Sequence, residues 1–175
     1  MQKRINIDLE VKSKKWLALK NSENFVSKTC EKLILASEIG KFLQKKSNQL
    51  ELSISLVSDA QIKKINQQFR GKNKATNVLS FSFLDENLLR AQGFAKATKS
   101  SSHLFLGDIV LAFETIEKEA KKAEKKIEHH LSHLLLHGLL HLIGHDHENE
   151  KDAMIMEKIE IKILKNLKIP NPYLI

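Results

Sequence analysis

The sequence predicts an α+β fold: a small mixed four-stranded sheet packed with about five helices as a single pair of layers. In some segments apolar residues alternate with polar ones, as in half-buried strands, and in others they recur at helical spacing. The two kinds of segment do not alternate regularly, so repeated βαβ units are not indicated. A chain of 175 residues has the length of one domain, and we expect residues 1–175 to form one.

Four segments have the residue pattern of β-strands. Residues 5–11 and 52–56 alternate between apolar and polar side chains, as a strand with one buried face does. Residues 78–84 and 103–113 are rich in aliphatic and aromatic side chains, which are favoured in strands. We therefore expect these four segments to form the sheet.

The helices are predicted from apolar residues at helical spacing and from signals at helix ends. The long helical patterns cover residues 22–46, 115–126, 128–143 and 150–167. A shorter helix follows the capping box that Ser58 and Gln61 form, and it ends at Arg70. The polar stretch of residues 85–102 is expected to be a long, mobile loop.

The charge is strongly basic, with a net charge of +8 and a pI near 9.5. Such a balance favours polyanionic partners such as RNA or a ribonucleoprotein. However, only three of the 29 cationic residues are arginine (Arg4, Arg70 and Arg90), so a general bias towards lysine explains the charge equally well. Charge therefore admits an RNA partner without establishing one.

Other features favour a soluble cytoplasmic protein. The only cysteine, Cys30, has no partner for a disulfide, which fits a reducing compartment. The first residues lack the apolar core of a secretory signal. The most apolar stretch, residues 131–143, is too short and too rich in histidine to span a bilayer, so no membrane association is expected.

Seven of the eight histidines lie within residues 129–147, and the motif HGLLHLIGHDH ends this cluster. On a helix, His137 and His141 share one face, and two imidazoles at this spacing can reach one metal ion. Gly144 lets the chain leave the helix, so that His147 can turn back as the third ligand. Three imidazoles leave a fourth position for water, which is typical of catalytic zinc. We expect one Zn²⁺ per chain, although nickel or copper could occupy such a site.

The remaining histidines are interpreted as ordinary ones: His103, His129 and His130 are assigned no role. His133 is either a neighbour of the site or a satisfied core histidine, and the second is favoured. Asp146 could orient a ligand or cap the following helix. Gly138 occupies the position at which HExxH peptidases carry their general base, so a zinc peptidase is disfavoured.

Three stretches resemble the YbeY family of bacterial single-strand endoribonucleases. HGLLHLIGHDH is similar to the family signature HGxLHLxGYDH, and NQQFRGKNKATNVLSFSF is similar to its segment N-x-x-[FY]-R-x-K-[DN]-x-P-T-D-V-L-S-F. LGDIVLA resembles its strand GDI[VI]I[SC], and the three matches follow in the expected order between residues 56 and 160. The sequence departs from the pattern at Ala75, Asn77 and His145, where the family has proline, aspartate and tyrosine.

The resemblance implies a mixed sheet with flanking helices and a zinc ion held by His137, His141 and His147. It implies an endoribonuclease that acts on single-stranded RNA, especially ribosomal RNA precursors, in the cytoplasm and in ribosome quality control. The family's important arginine corresponds to Arg70, a residue that could otherwise be a helix C-terminal cation. We interpret Arg70 as a catalytic residue that holds the scissile phosphate, because a guanidinium offers a two-point fork.

Lys72 and Lys74, in the loop after Arg70, are predicted to bind neighbouring phosphates of the RNA. The partners expected are the RNA and the ribosome or its small subunit, and the oligomeric state is left open. A non-catalytic zinc-containing RNA-binding factor of ribosome assembly is the alternative function, and a zinc peptidase is a weaker one.

Overall fold

A computed structural model describes residues 4–45, 49–85, 87, 89, 93–97 and 103–174. The strands are β1 (Ile5–Val11), β2 (Gln49–Val57), β3 (Val78–Ser82) and β4 (His103–Ala112). The helices are α1 (Ser22–Ala36), α2 (Glu38–Lys45), α3 (Asp59–Arg70), α4 (Phe94–Ala97), α5 (Phe113–Lys122), α6 (Ile127–Leu142) and α7 (Glu150–Asn166). A 3-10 helix covers Lys14–Ala18.

The described strands form one mixed sheet in the order β1-β2-β4-β3. β1 and β4 both run parallel to β2, and β3 runs antiparallel to β4 at the edge of the sheet. The α+β class and the four-stranded mixed sheet predicted from the sequence are therefore confirmed.

The main core lies on one face of the sheet. Strand alternation places the buried residues Leu52 and Ile54 of β2 and Ile109 of β4 on this face, where α1 and α6 cover them. α7 packs on α6 and completes the helical layer over the sheet. The side of α6 between β3 and α7 forms the wall of a cleft.

A second, smaller cluster lies on the opposite face of the sheet, so the helices are not confined to one layer. Ile62 of α3 packs there with Val57, Leu79 and Val110. The capping box predicted at the start of α3 is present, since the Ser58 hydroxyl accepts from Gln61 N and the Gln61 side chain accepts from Ser58 N. α3 ends at Arg70, as predicted, and Gly71 caps it.

The prediction of one continuous helix over residues 22–46 is wrong. Ser37 is extended, with a ψ angle of −179°, and separates α1 from α2. Its hydroxyl donates to Ile34 O at 2.8 Å and accepts from Ile39 N at 3.2 Å, so one side chain serves both helix ends. This local hydrogen bonding competes with the helix, and the apolar spacing does not reveal it.

Other boundaries differ by a few residues from those predicted. α5 begins at Phe113 and ends at Lys122, whereas the prediction was residues 115–126. The predicted mobile loop of residues 85–102 lies largely outside the described residues, but α4 lies within it.

Cys30 is fully buried, and burial raises the pKa of its thiol. Among the described residues, no helix combines the length and apolarity needed to span a bilayer.

Candidate metal centre

The wall of the cleft is formed by α6, one side of which is leucine-rich and the other histidine-rich. Leu135, Leu139 and Leu142 of this helix are fully buried. His137 and His141, four residues apart, are only half-buried and line a cleft of about 570 Å³. The 3.6-residue period of the helix therefore places the packing residues on the sheet and these imidazoles in the cleft.

The end of α6 is a turn that reverses the direction of the chain. Gly144 has a φ of 94°, and His145 N donates to Leu140 O at 3.0 Å, which is the hydrogen bond of a Schellman turn. A left-handed conformation of this kind favours glycine. The following loop then brings the exposed His147 back beside the helix, as predicted from the sequence.

The three imidazoles of His137, His141 and His147 converge. Their ring centroids are 4.6 to 5.2 Å apart, and one nitrogen of each lies within 4.8 Å of the others. His137 Nε2 and His141 Nε2 are 3.1 Å apart. Two nitrogens that each lie 2.0–2.1 Å from a tetrahedral ion are separated by about 3.3 Å. The separation of these two nitrogens is therefore close to that of two imidazole ligands of one zinc ion.

The protonation state of His141 also suits metal binding. Burial, together with the neighbouring rings of His137 and His147, lowers the pKa of His141 to about 4. The ring of His141 is therefore neutral at physiological pH, which is the form that binds a metal.

Glu160 of α7 is the principal site residue that the sequence did not predict. It is the only charged residue that is fully buried in the described part of the chain. Its carboxylate accepts from His137 Nδ1 at 2.9 Å. Burial raises the pKa of this carboxyl, but hydrogen bonds from His133, His137 and Tyr173 outweigh that effect and bring it down to about 2.

The ionised Glu160 determines which nitrogen of His137 is available. Because Nδ1 carries the proton that is donated to the carboxylate, Nε2 presents its lone pair towards His141 and His147. A carboxylate behind a ligating imidazole is a common arrangement at metal sites. Glu160 is therefore placed to orient a ligand and to make it more basic.

Two further groups complete the hydrogen bonding around Glu160. Tyr173 donates its hydroxyl to Glu160 Oε2, and His133 Nε2 lies 3.4 Å from the same oxygen. His133 is satisfied by hydrogen bonds, as expected, but it lines the cleft and does not lie in the core. With His137 and Glu160 it forms a second group whose ligand atoms lie close together.

Arg70 lies on the same cleft as the imidazoles, although more than 60 residues separate it from them in the sequence. Its Nη2 donates to Ser80 O at 3.2 Å, and its guanidinium carbon lies 5.9 Å from the centre of the Phe81 ring. These two contacts hold an exposed guanidinium beside the metal centre. The structure thus brings together Arg70 and the three histidines predicted from the sequence.

Lys72 and Lys74 are exposed and, within the part of the chain that the structure describes, neither lines the cleft. The buried Asn66 holds their loop in place, since its side-chain Nδ2 donates to Lys74 O at 2.8 Å and its backbone carbonyl accepts from Lys72 N at 3.2 Å. The first asparagine of the motif NQQFRGKNKAT therefore supports the loop.

Two of the sequence departures have a structural explanation. Asn77 Nδ2 donates to Glu119 Oε2 at 2.9 Å, and an aspartate there would place one carboxylate against another. His145 Nε2 lies 2.9 Å from Glu38 Oε1 on α2, so this imidazole is directed away from the other three. Asp146 does not cap α7, because Asn149 is the N-cap, but it accepts from His147 N at 2.7 Å.

Gly138 explains the missing glutamate of the HExxH pattern. It is buried where α6 crosses β4, and a Cβ atom built on it lies 3.3 Å from Ile109 Cδ1. A longer side chain at this position would enter the packing between helix and sheet, so the position is unsuited to a glutamate.

Comparison with known proteins identifies relatives along nearly the whole chain. The family model described as Endoribonuclease YbeY matches residues 10–168. A protein named Endoribonuclease YbeY from Buchnera aphidicola subsp. Schizaphis graminum is 38% identical over 173 residues, covering 99% of this chain and 97% of the relative. One of the same name from Francisella tularensis subsp. novicida is 42% identical over 124 residues, covering 71% of this chain and 72% of the relative.

The fold is also found in a solved structure. The solution structure of a Thermotoga maritima protein matches with a TM-score of 0.52 and 22% sequence identity, covering 98% of this chain and 99% of that one. At this identity the likeness concerns the fold, which agrees with the mixed sheet and flanking helices described above.

Replacing Glu160 with glutamine tests its role behind His137. We expect Glu160→Gln to weaken zinc binding by about 10- to 100-fold, because the amide is a poorer acceptor and leaves His137 less basic. Zinc affinity is measured by competition with a chromophoric chelator. The control is Glu157→Gln, since Glu157 lines the same cleft and has no described hydrogen bond to these imidazoles. Equal zinc affinities of the two variants would contradict the assignment.

Proposed function

We propose that this chain, which belongs to the YbeY family of endoribonucleases, is a zinc-dependent enzyme that cleaves single-stranded RNA during ribosomal RNA maturation. In this proposal, residues 1–175 form one metal-dependent hydrolase domain that works in the cytoplasm. Its partners are ribosomal RNA precursors and the ribosome or its small subunit, and ribosome quality control is part of its role.

One observation carries the proposal: three converging imidazoles and an arginine share one open cleft. A closed structural zinc site has four protein ligands, whereas three leave a position for water or substrate. His147 is exposed, so this position is accessible from solvent. The geometry supports a hydrolase better than the alternative of a zinc-containing assembly factor without catalytic activity.

His137, His141 and His147 are the residues that would hold the metal. When bound, zinc supplies a Lewis acid for a phosphate oxygen and a water molecule of lowered pKa. Glu160 holds the proton on Nδ1 of His137 and thereby keeps Nε2 free for binding. The hydrogen bonds from Tyr173 and His133 keep this buried carboxylate ionised.

Arg70 is the residue proposed to hold the scissile phosphate. Only one of its donors is occupied by Ser80 O in the described contacts, so others remain for a phosphate. A guanidinium binds a phosphate through two parallel hydrogen bonds and stabilises the charge that develops in the transition state. Its support by Phe81 limits the entropy lost when the phosphate binds.

Lys72 and Lys74 are proposed to bind phosphates next to the scissile one. They lie just after Arg70 on a loop that Asn66 holds through two hydrogen bonds. Their side chains are exposed and need no movement of the fold to reach an RNA backbone.

The function is tested by incubating zinc-loaded protein with a labelled RNA hairpin that carries single-stranded tails, and separately with casein. We expect cleavage in the tails only, its loss with chelator, and its return when zinc is added back. His141→Ala should lose both zinc and cleavage. Stoichiometric zinc with no cleavage by the wild type would instead support the non-catalytic assembly factor, and casein hydrolysis would support a peptidase.

The role of Arg70 is tested with two variants. We expect Arg70→Ala to slow RNA cleavage at least about 100-fold, as the loss of a transition-state donor does, while one zinc stays bound per chain. Arg70→Lys should recover only a small part, because an ammonium cannot form the fork. Lys15→Ala, which removes an exposed charge from the 3-10 helix, is the control for net charge. Near-wild-type cleavage by Arg70→Ala would remove this residue from the mechanism.

The two loop lysines are tested through the salt dependence of RNA binding. Each phosphate contact contributes about −0.7 to the slope of log K against log salt for a single strand. The double variant Lys72→Ala/Lys74→Ala should therefore reduce the slope by about 1.4. The control is the pair Lys14→Ala/Lys15→Ala, which removes the same charge elsewhere. An equal change of slope in both pairs would show that only net charge matters.

A further inference from the structure

Four of the eight phenylalanines form two ring pairs, each of one exposed and one half-buried residue, which together we call the aromatic strip: Phe69 with Phe81, and Phe83 with Phe105. Phe69 and Phe83 are each 63% exposed. Two neighbouring aromatic side chains with this exposure form an apolar patch on an otherwise basic surface. Phe81 supports Arg70 at the cleft. That contact does not explain why Phe69 and Phe83 are exposed, so their exposure calls for a separate explanation.

The register of the sheet places the strip on the face opposite the main core. Phe81 pairs with Asp108, and a bulge in β4 puts Phe105 on the same face as Asp108. The rings of Phe83 and Phe105 are 4.8 Å apart, and those of Phe69 and Phe81 are 5.4 Å apart. The strip therefore consists of two ring pairs side by side along β3, at the end of α3.

The strip is firmly supported by the fold. Phe81 packs on the small cluster beneath α3, and Phe83 N donates to Leu106 O at 3.0 Å, which extends the pairing of β3 with β4. Phe69 continues the apolar stripe of α3 that begins with Ile62 and Ile65. These contacts restrict the rings and so reduce the side-chain entropy that binding would cost.

Arg70 connects the strip to the cleft around the edge of the sheet. β3 is the edge strand, and Arg70 both lines the cleft and lies over the ring of Phe81. A strand of nucleic acid whose phosphate is held by Arg70 would therefore meet Phe81 next.

The charges around the strip favour one orientation of such a strand. α3 and its following loop bear the exposed cations Lys63, Lys64, Lys72 and Lys74. On the other side, Asp108 of β4 pairs with Phe81, and Glu51 of β2, whose carboxylate lies 3.3 Å from His103 Nε2, pairs with Phe105. Phosphates are therefore attracted to the α3 side more than to the side of β4 and β2.

From these observations we propose that the aromatic strip is a stacking site for unpaired bases of the RNA that enters the cleft. The inference rests on the proposed function and names how the single-stranded substrate is recognised. Phenyl rings bind any base through its flat face, and a paired base within a duplex cannot offer that face. The strip thus selects single-stranded RNA through stacking, with the phosphates directed to the lysines of α3.

The test measures RNA binding in the presence of chelator, so that binding is recorded without cleavage. The probe is a short, fluorescently labelled, unstructured single-stranded RNA, with a duplex of the same length for comparison. Phe83→Leu keeps an apolar side chain and removes the ring. We expect it to weaken single-strand binding about 10-fold and to leave duplex binding unchanged. Phe69→Ala/Phe83→Ala should weaken it further, and Leu17→Ala, at another highly exposed apolar residue, should have no effect.

A second measurement detects the stacking itself. Phe83→Trp places an indole in the strip, and the only native tryptophan, Trp16, is fully buried and provides the background signal. Single-stranded RNA should quench the new fluorescence and should leave that of the wild type unchanged. Circular dichroism and thermal unfolding confirm that each variant is folded.

The proposal is overturned if Phe83→Leu binds single-stranded RNA as the wild type does, or if the indole of Phe83→Trp is not quenched. It is also overturned if the double variant binds RNA normally but changes the oligomeric state, since the strip would then be a contact between copies of this chain. These results are independent of cleavage. Quenching without any RNA cleavage would leave the strip in place and count against the nuclease function.

Discussion

The hydrogen bond between Glu160 and His137 is the interaction on which the candidate metal centre depends. A buried carboxylate is stable only when its oxygens receive enough donors, and here three side chains supply them. The same bond fixes the rotation of His137 and the nitrogen that it presents. Packing of α7 against α6 is therefore coupled to the chemistry of the cleft, because α7 carries the carboxylate.

α6 combines two functions that are usually kept on separate elements. Its leucines form the centre of the core, and its histidines form the wall of the cleft, since the two sets lie on opposite sides of the helix. Gly138 lets the helix approach Ile109 of β4 closely. The candidate metal centre thus rests on a helix that is packed into the core, which favours a preorganised site.

The parts of the structure that the sequence predicted well are those set by local spacing. The pair His137 and His141, the turn at Gly144 and the return of His147 all follow from helix geometry within eleven residues. The strands β1 and β2 could likewise be predicted from the alternation of apolar and polar residues. The break at Ser37 was missed, because a single hydroxyl that bonds to two backbone groups leaves the apolar period unchanged.

Glu160 could not be predicted from spacing, because its partner lies 23 residues earlier and the packing of two helices brings them together. One signal was present: it occupies a position of the buried stripe of α7 that Met156, Ile163 and Leu164 otherwise fill. An acidic residue in such a stripe indicates a buried partner. Arg70 was identified because arginine is rare in this chain and because of the family resemblance. Its neighbours in the cleft could be identified only from the folded structure.

The hydroxyl of Tyr173 bonds to Glu160, so this residue, close to the end of the described chain, forms part of the wall of the cleft. This has a practical consequence for handling the protein. A polyhistidine tag fused after residue 175 would follow shortly after Tyr173, which lines the same cleft as three imidazoles that favour the same ions as the tag. Purification on immobilised nickel through such a fusion would confuse the metal content of the tag with that of the protein.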